Sequence, residues 1–432
     1  MQRLNLRLFW IAPVVLGLFF VVNVITLFNS LPTPTSSNVG GHVRISPNIP
    51  GQSRIDSTSQ KFNVDAEIYL NDDDDQYSVQ CYEYGCHEYP PQLDSQLRHL
   101  LSQTFVDVKN NNVKDKTFPF GTSNMAMLSQ IGKSHSENQD RAVLIEPFGK
   151  NLPLNAEETF LLGIFDGHGV QGQVIADYIA RELPGRLWEK LQPLMDSNKD
   201  MVSSELDEKI TQALKTTFVD VDHLAPPNAL KGGSTASVTL RFGHKLYIAN
   251  TGDSQTVIVT VGNNNRSGEL ETSVEFMTRL DKAKIPEEKS RIEGLGGTVR
   301  INPQNNVARV IVYSVTSREA IALAMSRSIG DWEWKPIGVI AEPIVNVIDI
   351  STLQNAFIIA ASDGLWDTRR QKFFANQFAE PFYGATQSNV NVNADIHPLH
   401  RLWEVIEKIT PKTGYQDDIT AIIKKLEATA TS

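Results

Sequence analysis

The chain has 432 residues, of which 41% are hydrophobic, enough for one large domain or two average ones with a full core. Its 50 acidic and 40 basic residues give a formal net charge of -10, so binding to a nucleic-acid backbone is not expected. The chain has only two cysteines, which excludes a disulfide framework and a structural zinc site as organising features.

The N-terminus contains an uncharged apolar run, Leu8–Phe28, of about the 20 residues that a transmembrane helix needs. Arg3 and Arg7 precede this run, and the next Lys or Arg is Arg44. The positive-inside rule therefore predicts a short cytosolic segment, residues 1–7, and a catalytic side that is lumenal or organellar. The run is longer than the apolar part of a cleaved signal peptide, which favours a single-pass membrane protein with an uncleaved signal anchor. A cleaved secretory or organelle-targeting signal is the alternative.

Residues 29–120 are predicted to form a low-complexity stalk and N-terminal extension. Asn29–Gln60 is rich in Pro, Ser, Thr, Gly and Asn and has no apolar periodicity. The acidic run Asn71–Asp75 indicates a solvated segment, with a calcium or partner site as the alternative. Cys81 and Cys86 could pair across a small loop if this part of the chain is lumenal, and are otherwise two free thiols.

From about Gly121 the sequence becomes globular, with apolar runs that predict strands and periodic segments that predict helices. The predicted strands are Thr159–Phe165, Ala236–Phe242, Lys245–Asn250, Thr256–Val261, Ala356–Ala361 and Ile419–Lys425. The predicted helices are Gln173–Leu191, Glu205–Val221, Glu287–Leu295 and His400–Ile409. Pro184-Gly185 is expected to break or kink the first helix. Helices bracket runs of strands, which favours an α+β fold with a β-sandwich flanked by helices over a parallel doubly wound sheet.

Six short blocks rich in Asp and Gly carry the candidate chemistry. They are Glu137–Asp140, Phe165–Gly169, Asn250–Ser254, Ser326–Asp331, Ala361–Gly364 and Tyr415–Thr420. Carboxylates recur at the ends of apolar runs without a histidine or cysteine cluster beside them. This pattern indicates an all-oxygen site for a hard cation, Mg²⁺ or Mn²⁺ rather than zinc. Two or more such ions are typical of sites that hydrolyse a phosphate ester.

Phe165–Gly169 is the strongest single block. A strand that runs into Asp166 puts a carboxylate at the sheet edge, and Gly167 lets the backbone approach an ion closely. His168 would then lie beside the metals, positioned to donate a proton to a leaving group. Taken alone, the block also fits a strand-ending turn with a surface histidine. Ala361–Gly364 repeats the pattern of an apolar strand followed by Asp-Gly.

Taken in order, these blocks resemble the type 2C metal-dependent serine/threonine protein phosphatases, the PPM family. The resemblance runs from about Gly121 to Leu426, within a phosphatase domain predicted at residues 121–428. The matching segments are Asn138–Asp140, Phe165–Gly169, Gly233–Ala236, Ala249–Ser254, Ser326–Asp331, Gly338–Pro343, Ala361–Asp367 and Asp417–Thr420. Their number and their order make the match specific.

The resemblance implies a four-layer α-β-β-α sandwich, a central antiparallel β-sandwich flanked by helices, with a dinuclear metal centre at one end. Asp166 would bridge the two ions, and His168 would protonate the leaving serine or threonine oxygen. The other metal-site residues that the family implies are the Gly167 carbonyl on one ion, Asp363 and Asp417 on the other, Asp140 close by, and Asp253 with Asp363 at a weaker third site. Asp331 would support the site without ligating. Activated water would attack phosphorus without a phosphoenzyme intermediate.

The chain departs from the family pattern in the part that binds the substrate phosphate. His135 replaces the arginine that many members carry there, and Lys133 or Arg141 would substitute for it. Asp418 replaces the usual Asn after the last metal ligand. Asp281–Pro286 replaces an Asp-His-Lys-Pro stretch, a change expected to affect a structural turn more than the chemistry.

The sequence therefore predicts a protein-serine/threonine phosphatase that uses two Mg²⁺ or Mn²⁺ ions, with a third at the weaker site. We expect phosphoprotein substrates, a monomeric catalytic domain, a membrane contact through the N-terminal helix and no nucleic-acid partner. A catalytically weak or silent phosphatase-like binding module is the alternative. Retention of Asp166, Asp363 and Asp417 argues against that alternative, and loss of the phosphate-binding arginine argues for it. A hydrolase of small phosphoesters also stays open, because the sequence names no substrate.

Overall fold

The computed structural model describes the greater part of the chain from Thr117 onward, together with one short hairpin before it. The described ranges are 79–82, 85–88, 117–134, 136–149, 159–196, 203–263, 269–314, 318–384, 397–410 and 416–427. The predicted anchor Leu8–Phe28, the stalk Asn29–Gln60, the acidic run Asn71–Asp75 and His135 lie outside these residues. None of the helices within these ranges combines a bilayer-spanning length with a sufficiently apolar sequence.

The described residues form strands β1–β19, helices α1–α6 and a short 3-10 helix at Lys335–Ile337. In chain order, the strands are Val79–Tyr82, Gly85–Glu88, Thr117–Thr122, Met125–Gln130, Arg141–Ile145, Thr159–Phe165, Gly167–Gly169, Gly232–Ser234, Ala236–Phe242, Lys245–Thr251, Gln255–Asn263, Leu270–Met277, Thr298–Ile301, Ala308–Tyr313, Ala320–Leu323, Ile329–Gly330, Ile344–Asp349, Ala356–Ala361 and Ile419–Leu426. The helices α1–α6 are Gly172–Asp196, Ser203–His223, Pro286–Gly294, Asp363–Trp366, Gln371–Tyr383 and Pro398–Ile409.

Strands β1 and β2 form an antiparallel hairpin of their own. The backbone register places Cys81 opposite Cys86. Directly opposed positions of an antiparallel pair bring Cα atoms to about 4.5–5.5 Å, a spacing that a disulfide tolerates. The pairing of the two thiols stays a prediction.

Two antiparallel sheets form the centre of the fold. One has five strands in the order β17-β10-β9-β6-β5, and the other has six in the order β12-β11-β18-β19-β4-β3. All seven residues of β6 are buried because both of its faces are covered. Phe160, Leu162 and Ile164 pack between the sheets, while Leu161 and Phe165 pack on the other face. This alternation explains why the strand has a continuous apolar sequence.

A helical layer covers the outer face of each sheet. Helices α1 and α2 contribute Ile175, Ile179 and Leu214, among others, to the core on the five-stranded sheet. Helices α5 and α6 contribute residues such as Phe374 and Leu402 to the core on the six-stranded sheet. The four layers confirm the predicted α+β, α-β-β-α architecture.

A smaller unit, which we call the flap, is inserted after β12. It comprises residues 283–339 and contains α3, the three-stranded sheet β13-β14-β15 and the 3-10 helix. It has its own apolar cluster, centred on Ile292, Val310 and Val339. Its return to the body forms β16, which pairs with β8 and, through it, with β7.

Several elements differ from their predicted bounds by one to five residues at an end, and two differences bear on the fold. Helix α1 continues through Pro184 instead of breaking at Pro184-Gly185. The residues Leu183, Leu187 and Leu191 on both sides of the proline are at most 1% exposed, so their burial keeps the segment in place despite the lost backbone hydrogen bond. The six-stranded sheet also includes β3, which starts at Thr117, a few residues before the predicted domain boundary.

Candidate metal centre

The candidate ligands lie where the strands of both sheets end on the same side of the sandwich. Asp166 follows β6, and Asp140 directly precedes β5, its antiparallel neighbour. In the other sheet, Asp363 follows β18 and Asp417 precedes β19, which are also antiparallel neighbours. The charges of Asp140, Asp363 and Asp417 all act on Asp166. The structure thus brings together carboxylates that are far apart in the sequence.

These carboxyl groups disfavour each other's ionisation. Burial and the charges of Asp363, Asp140 and Asp253 raise the pKa of Asp166 well above its ordinary value. Burial and the charges of Asp253 and Asp417 raise the pKa of Asp363 to about 8, against a smaller effect of its hydrogen bond to Asp166. A cation placed among them would reverse this repulsion and stabilise the charged forms.

Asp140 is held by a chain of hydrogen bonds that connects the two sheets. Burial raises its pKa to about 7, although its Oδ2 accepts a hydrogen bond of 2.8 Å from the Ser362 hydroxyl. Its backbone N–H donates to the Asn138 side chain, which in turn donates to Ser129 in β4. Ser129 and Thr420 of β19 share the last hydrogen bond, of 2.7 Å. The position of Asp140 is therefore fixed by residues from both ends of the domain.

Asp253 follows β10 and is only 2% exposed. Its Oδ2 accepts a hydrogen bond of 2.5 Å from the Lys282 ammonium. Its buried Oδ1 has no hydrogen-bond partner among the described residues. A buried carboxylate oxygen without a donor is an available ligand for a cation.

The donor set therefore fits Mg²⁺ or Mn²⁺, which prefer carboxylate oxygens. Among the described residues, however, no group of three Asp, Glu, His or Cys side chains is already arranged to hold one ion. The structure places the carboxylates as electrostatic neighbours. Ligation by Asp140, Asp166, Asp253, Asp363 and Asp417 stays a prediction.

Gly167 is required by the close approach of two backbone segments. A Cβ at this position would lie 2.5 Å from the carbonyl oxygen of Gln139 and 2.6 Å from that of Gly172. The same logic applies at Gly364, where a Cβ would lie 1.9 Å from the carbonyl oxygen of Asp418. Both glycines directly follow a candidate ligand, so they keep the backbone tight where the metals would bind.

His168 is paired with Asp331, a partner that the sequence analysis did not find. The two side chains meet at 2.7 Å between Nε2 and Oδ2. Burial alone would lower the pKa of His168, but the charge and hydrogen bond of Asp331 outweigh it and raise that pKa. Burial likewise opposes ionisation of Asp331, yet His168 holds its pKa below the ordinary value. Both shifts favour the pairing of an imidazolium with a carboxylate, the form in which His168 has a proton to donate.

Asp418, to which the sequence analysis gave no role of its own, also supports the site. It is 2% exposed, and its carboxylate accepts hydrogen bonds from the backbone N–H groups of Gly132 at 2.7 Å and Gln139 at 2.8 Å. It thereby closes the loop between β4 and β5, which contains the predicted phosphate-binding positions. The only sequence signal was the second Asp of the pair that precedes β19.

The two other basic residues considered for phosphate binding have different surroundings. Lys133 is exposed in the loop that Asp418 closes. The guanidinium of Arg141 donates to the backbone carbonyls of Asn138 and Asp140 and pairs with Asp177. Arg141 thus supports the backbone beside Asp140, while Lys133 faces solvent. Binding of phosphate by Lys133 or His135 stays a prediction.

The departure at Asp281–Pro286 has a larger effect than the sequence analysis expected. It was predicted to alter a turn more than the chemistry. The structure instead places the Lys282 ammonium on Asp253, a candidate ligand. Lys282 reaches Asp253 because the chain after β12 runs back to the end of β10. There, Gly252 and Asp281 form two hydrogen bonds with each other.

Comparisons with known proteins show which family the chain resembles. The family model described as protein phosphatase 2C matches residues 125–375. The probable protein phosphatase 2C 41 of Arabidopsis thaliana is 32% identical over 282 residues, which are 62% of this chain and 76% of that protein. The probable protein phosphatase 2C 73 of the same plant is 31% identical over 261 residues, 57% of this chain and 66% of that protein.

A solved structure shows the same fold. The crystal structure of serine-threonine phosphatase 2C from Toxoplasma gondii superposes with a TM-score of 0.57 over 72% of this chain and 99% of that chain, at 20% sequence identity. At this identity the likeness bears on the fold alone. It agrees with the four layers described above.

Proposed function

The chain belongs to the protein phosphatase 2C family of serine/threonine protein phosphatases, and from that premise we propose that it hydrolyses phosphoserine and phosphothreonine in proteins at a centre of two Mg²⁺ or Mn²⁺ ions. The observation that supports the metal centre is the group of carboxylates whose pKa values are raised by burial and by one another. Such a group is costly in a protein unless a cation neutralises it.

Asp166, Asp363 and Asp417, with the Gly167 carbonyl, would hold the ions in this proposal. When bound, the ions would neutralise the phosphate and supply the Lewis acidity that makes water a nucleophile at neutral pH. Asp140, fixed by Ser362, would orient that water.

His168 would donate its proton to the serine or threonine oxygen as the bond to phosphorus breaks. Asp331 keeps His168 protonated and fixes the ring through the 2.7 Å hydrogen bond. The closed loop between β4 and β5 would present Lys133 and His135 to the substrate phosphate.

The first test is hydrolysis of a phosphothreonine peptide by the full chain, with Mn²⁺ and with EDTA. We expect activity that requires Mn²⁺ and that falls by about 100-fold or more in Asp166→Asn, because a central ligand loses its charge. Asp349→Asn is the matched control, since Asp349 is an exposed carboxylate on β17. The control should retain full activity.

Two results would contradict the proposal in different ways. Hydrolysis of p-nitrophenyl phosphate without hydrolysis of the peptide would indicate a small phosphoester as substrate. A folded chain that neither binds Mn²⁺ nor hydrolyses either substrate would indicate the silent binding module.

We also propose that the enzyme acts at a membrane, anchored by Leu8–Phe28. The support is the length and apolar character of this run in the sequence. Expressed in cells, the full chain should sediment with membranes and resist extraction by alkaline carbonate, whereas a chain without residues 8–28 should not. Recovery of both proteins in the supernatant would overturn the anchor.

A further inference from the structure

Lys282 introduces a positive charge into the group of acidic residues. Its Nζ lies 2.5 Å from Oδ2 of Asp253, and the two side chains are 33% and 2% exposed. Its charge also interacts with those of Asp363 and Asp367. One ammonium group thus acts on three carboxyl groups at the edge of the candidate metal centre.

The backbone on both sides of Lys282 holds it in this position. Asp281 donates its N–H to the Gly252 carbonyl at 2.9 Å and accepts the Gly252 N–H on Oδ2 at 3.1 Å. Asp281 precedes Lys282, and Gly252 precedes Asp253. The two hydrogen bonds between Asp281 and Gly252 therefore hold the Lys282 backbone beside the Asp253 backbone. On the other side, Ala283 is fully buried in the apolar cluster of the flap. The contact between Lys282 and Asp253 therefore follows from the way in which the flap joins the body.

An ammonium group and a divalent ion compete for the same oxygens. Asp253 offers two carboxylate oxygens, of which Lys282 engages one. A divalent ion bound by Asp253 and Asp363 would lie close to the ammonium, and two cations at that separation repel strongly in a half-buried site. The Lys282 ammonium has three N–H donors. It is part of the chain, so its presence at this edge does not require binding of an ion from solution.

We propose that the Lys282 ammonium occupies the Asp253 edge of the centre in place of a divalent ion, so that the enzyme binds two metal ions and a tethered monocation. The inference rests on the proposed function, because it takes the carboxylate group as a metal centre. It is an alternative to the expectation that Asp253 holds a third metal ion. The charge at this edge is then independent of the concentration of free Mg²⁺ or Mn²⁺.

The test counts Mn²⁺ ions bound to the full chain by equilibrium dialysis, without substrate. We expect two ions per chain in the natural protein up to millimolar free Mn²⁺. Lys282→Gln removes the ammonium and should admit a third, weaker ion. Lys282→Arg keeps a cation and should stay at two. Lys284→Gln removes an exposed lysine two residues away and should also stay at two.

A further variant keeps the test decisive if Lys282→Gln fails to fold. Asp253→Asn should leave the count at two, because Asp253 holds no ion in this proposal, whereas loss of one ion would overturn it. Three ions in the natural protein, or two in a folded Lys282→Gln, would overturn the inference and leave the dinuclear centre intact. No Mn²⁺ binding by the natural protein would overturn the proposed function and the inference together.

Discussion

His168 depends on Asp331 for its charge, and this dependence gives a testable pH effect. Asp331→Asn keeps the shape of the side chain but removes the negative charge that raises the pKa of His168. A general acid must be protonated, so activity is lost as the pH rises through its pKa. We expect kcat at pH 7.5 to fall about 10-fold or more, with the alkaline limb of the kcat profile moved to lower pH.

The pH profile separates this role from a purely structural one. A variant that is only less stable would lose activity without moving the limb. Asp349→Asn, which removes an exposed carboxylate, should leave both the rate and the profile unchanged. An unshifted alkaline limb in Asp331→Asn would show that Asp331 does not set the protonation of His168.

Part of the candidate site could be predicted from the sequence because its signal is local. Asp166 and Asp363 each follow a continuous apolar strand and precede a glycine, a pattern that places a carboxylate at a sheet edge. The pairing of His168 with Asp331 spans 163 residues, and that of Asp418 with Gly132 spans 286. Such contacts depend on how the layers pack, so no local pattern indicates them.

At the scale of elements, one buried carboxylate ties together the base of the flap. Glu288 in α3 is fully buried and accepts hydrogen bonds from Arg279, Arg291, Arg327 and the Ser326 hydroxyl. Burial opposes its ionisation, but the hydrogen bonds from Arg327, Arg291 and Ser326 lower its pKa below the ordinary value. Glu288 thus connects α3 to Arg279, which follows β12, and to Ser326 and Arg327, which precede β16.

We expect Glu288→Gln to lower the free energy of unfolding by about 3 kcal/mol, because three guanidinium groups lose their shared buried anion. Urea denaturation measures this loss, and hydrogen exchange should show faster exchange in α3 and β13. Glu287→Gln is the matched control. Glu287 pairs with Arg279 alone and its side chain is 63% exposed, so the change should be within about 0.5 kcal/mol. Equal effects of the two substitutions would contradict the role of Glu288.

The strands that were predicted with the correct bounds are strands whose residues are mostly buried. Strands β6, β9 and β18 have the predicted bounds, and nearly all of their residues are buried. In β6 and β18 these residues are also almost all apolar, while in β9 apolar and polar residues alternate. Strands β13 and β15 of the flap were not predicted, since most of their residues are exposed or half-buried and the apolar pattern is weak. Helix α1 was expected to break or kink at Pro184-Gly185, and it does not break there. The packing of its buried face could not be seen in the sequence.

At the scale of the whole molecule, the acidic residues link stability to pH. Burial raises the pKa of Asp140 to about 7, that of Asp363 to about 8 and that of Asp281 to about 6, from 3.8 in each case. The metal-free folded state therefore holds protons that the unfolded chain has released. Stability then falls as the pH rises through these values. The raised pKa of His168 has the same sign.

We expect the metal-free protein to be less stable at pH 8 than at pH 6 by at least about 1.4 kcal/mol, the effect of one such proton over one pH unit. Saturating Mn²⁺ should reduce this difference, because the ions replace the protons on the same carboxylates. Urea denaturation at both pH values, with EDTA and with Mn²⁺, measures the effect. Greater stability at pH 8 without metal would contradict it.

The order of strands in the six-stranded sheet has a consequence for how the enzyme is made. Strand β19 lies between β18 and β4, and Asp417 precedes it by two residues. Synthesis proceeds from the N-terminus at about 5–20 residues per second, so this inner strand is translated after both of its neighbours in the sheet. Until it leaves the ribosome, β4 and β18 each have an unpaired edge and the group of carboxylates is incomplete. A nascent or truncated chain that stops before Asp417 lacks one of the proposed metal ligands and the strand that joins β4 to β18. We therefore expect no dephosphorylation before the sheet is closed.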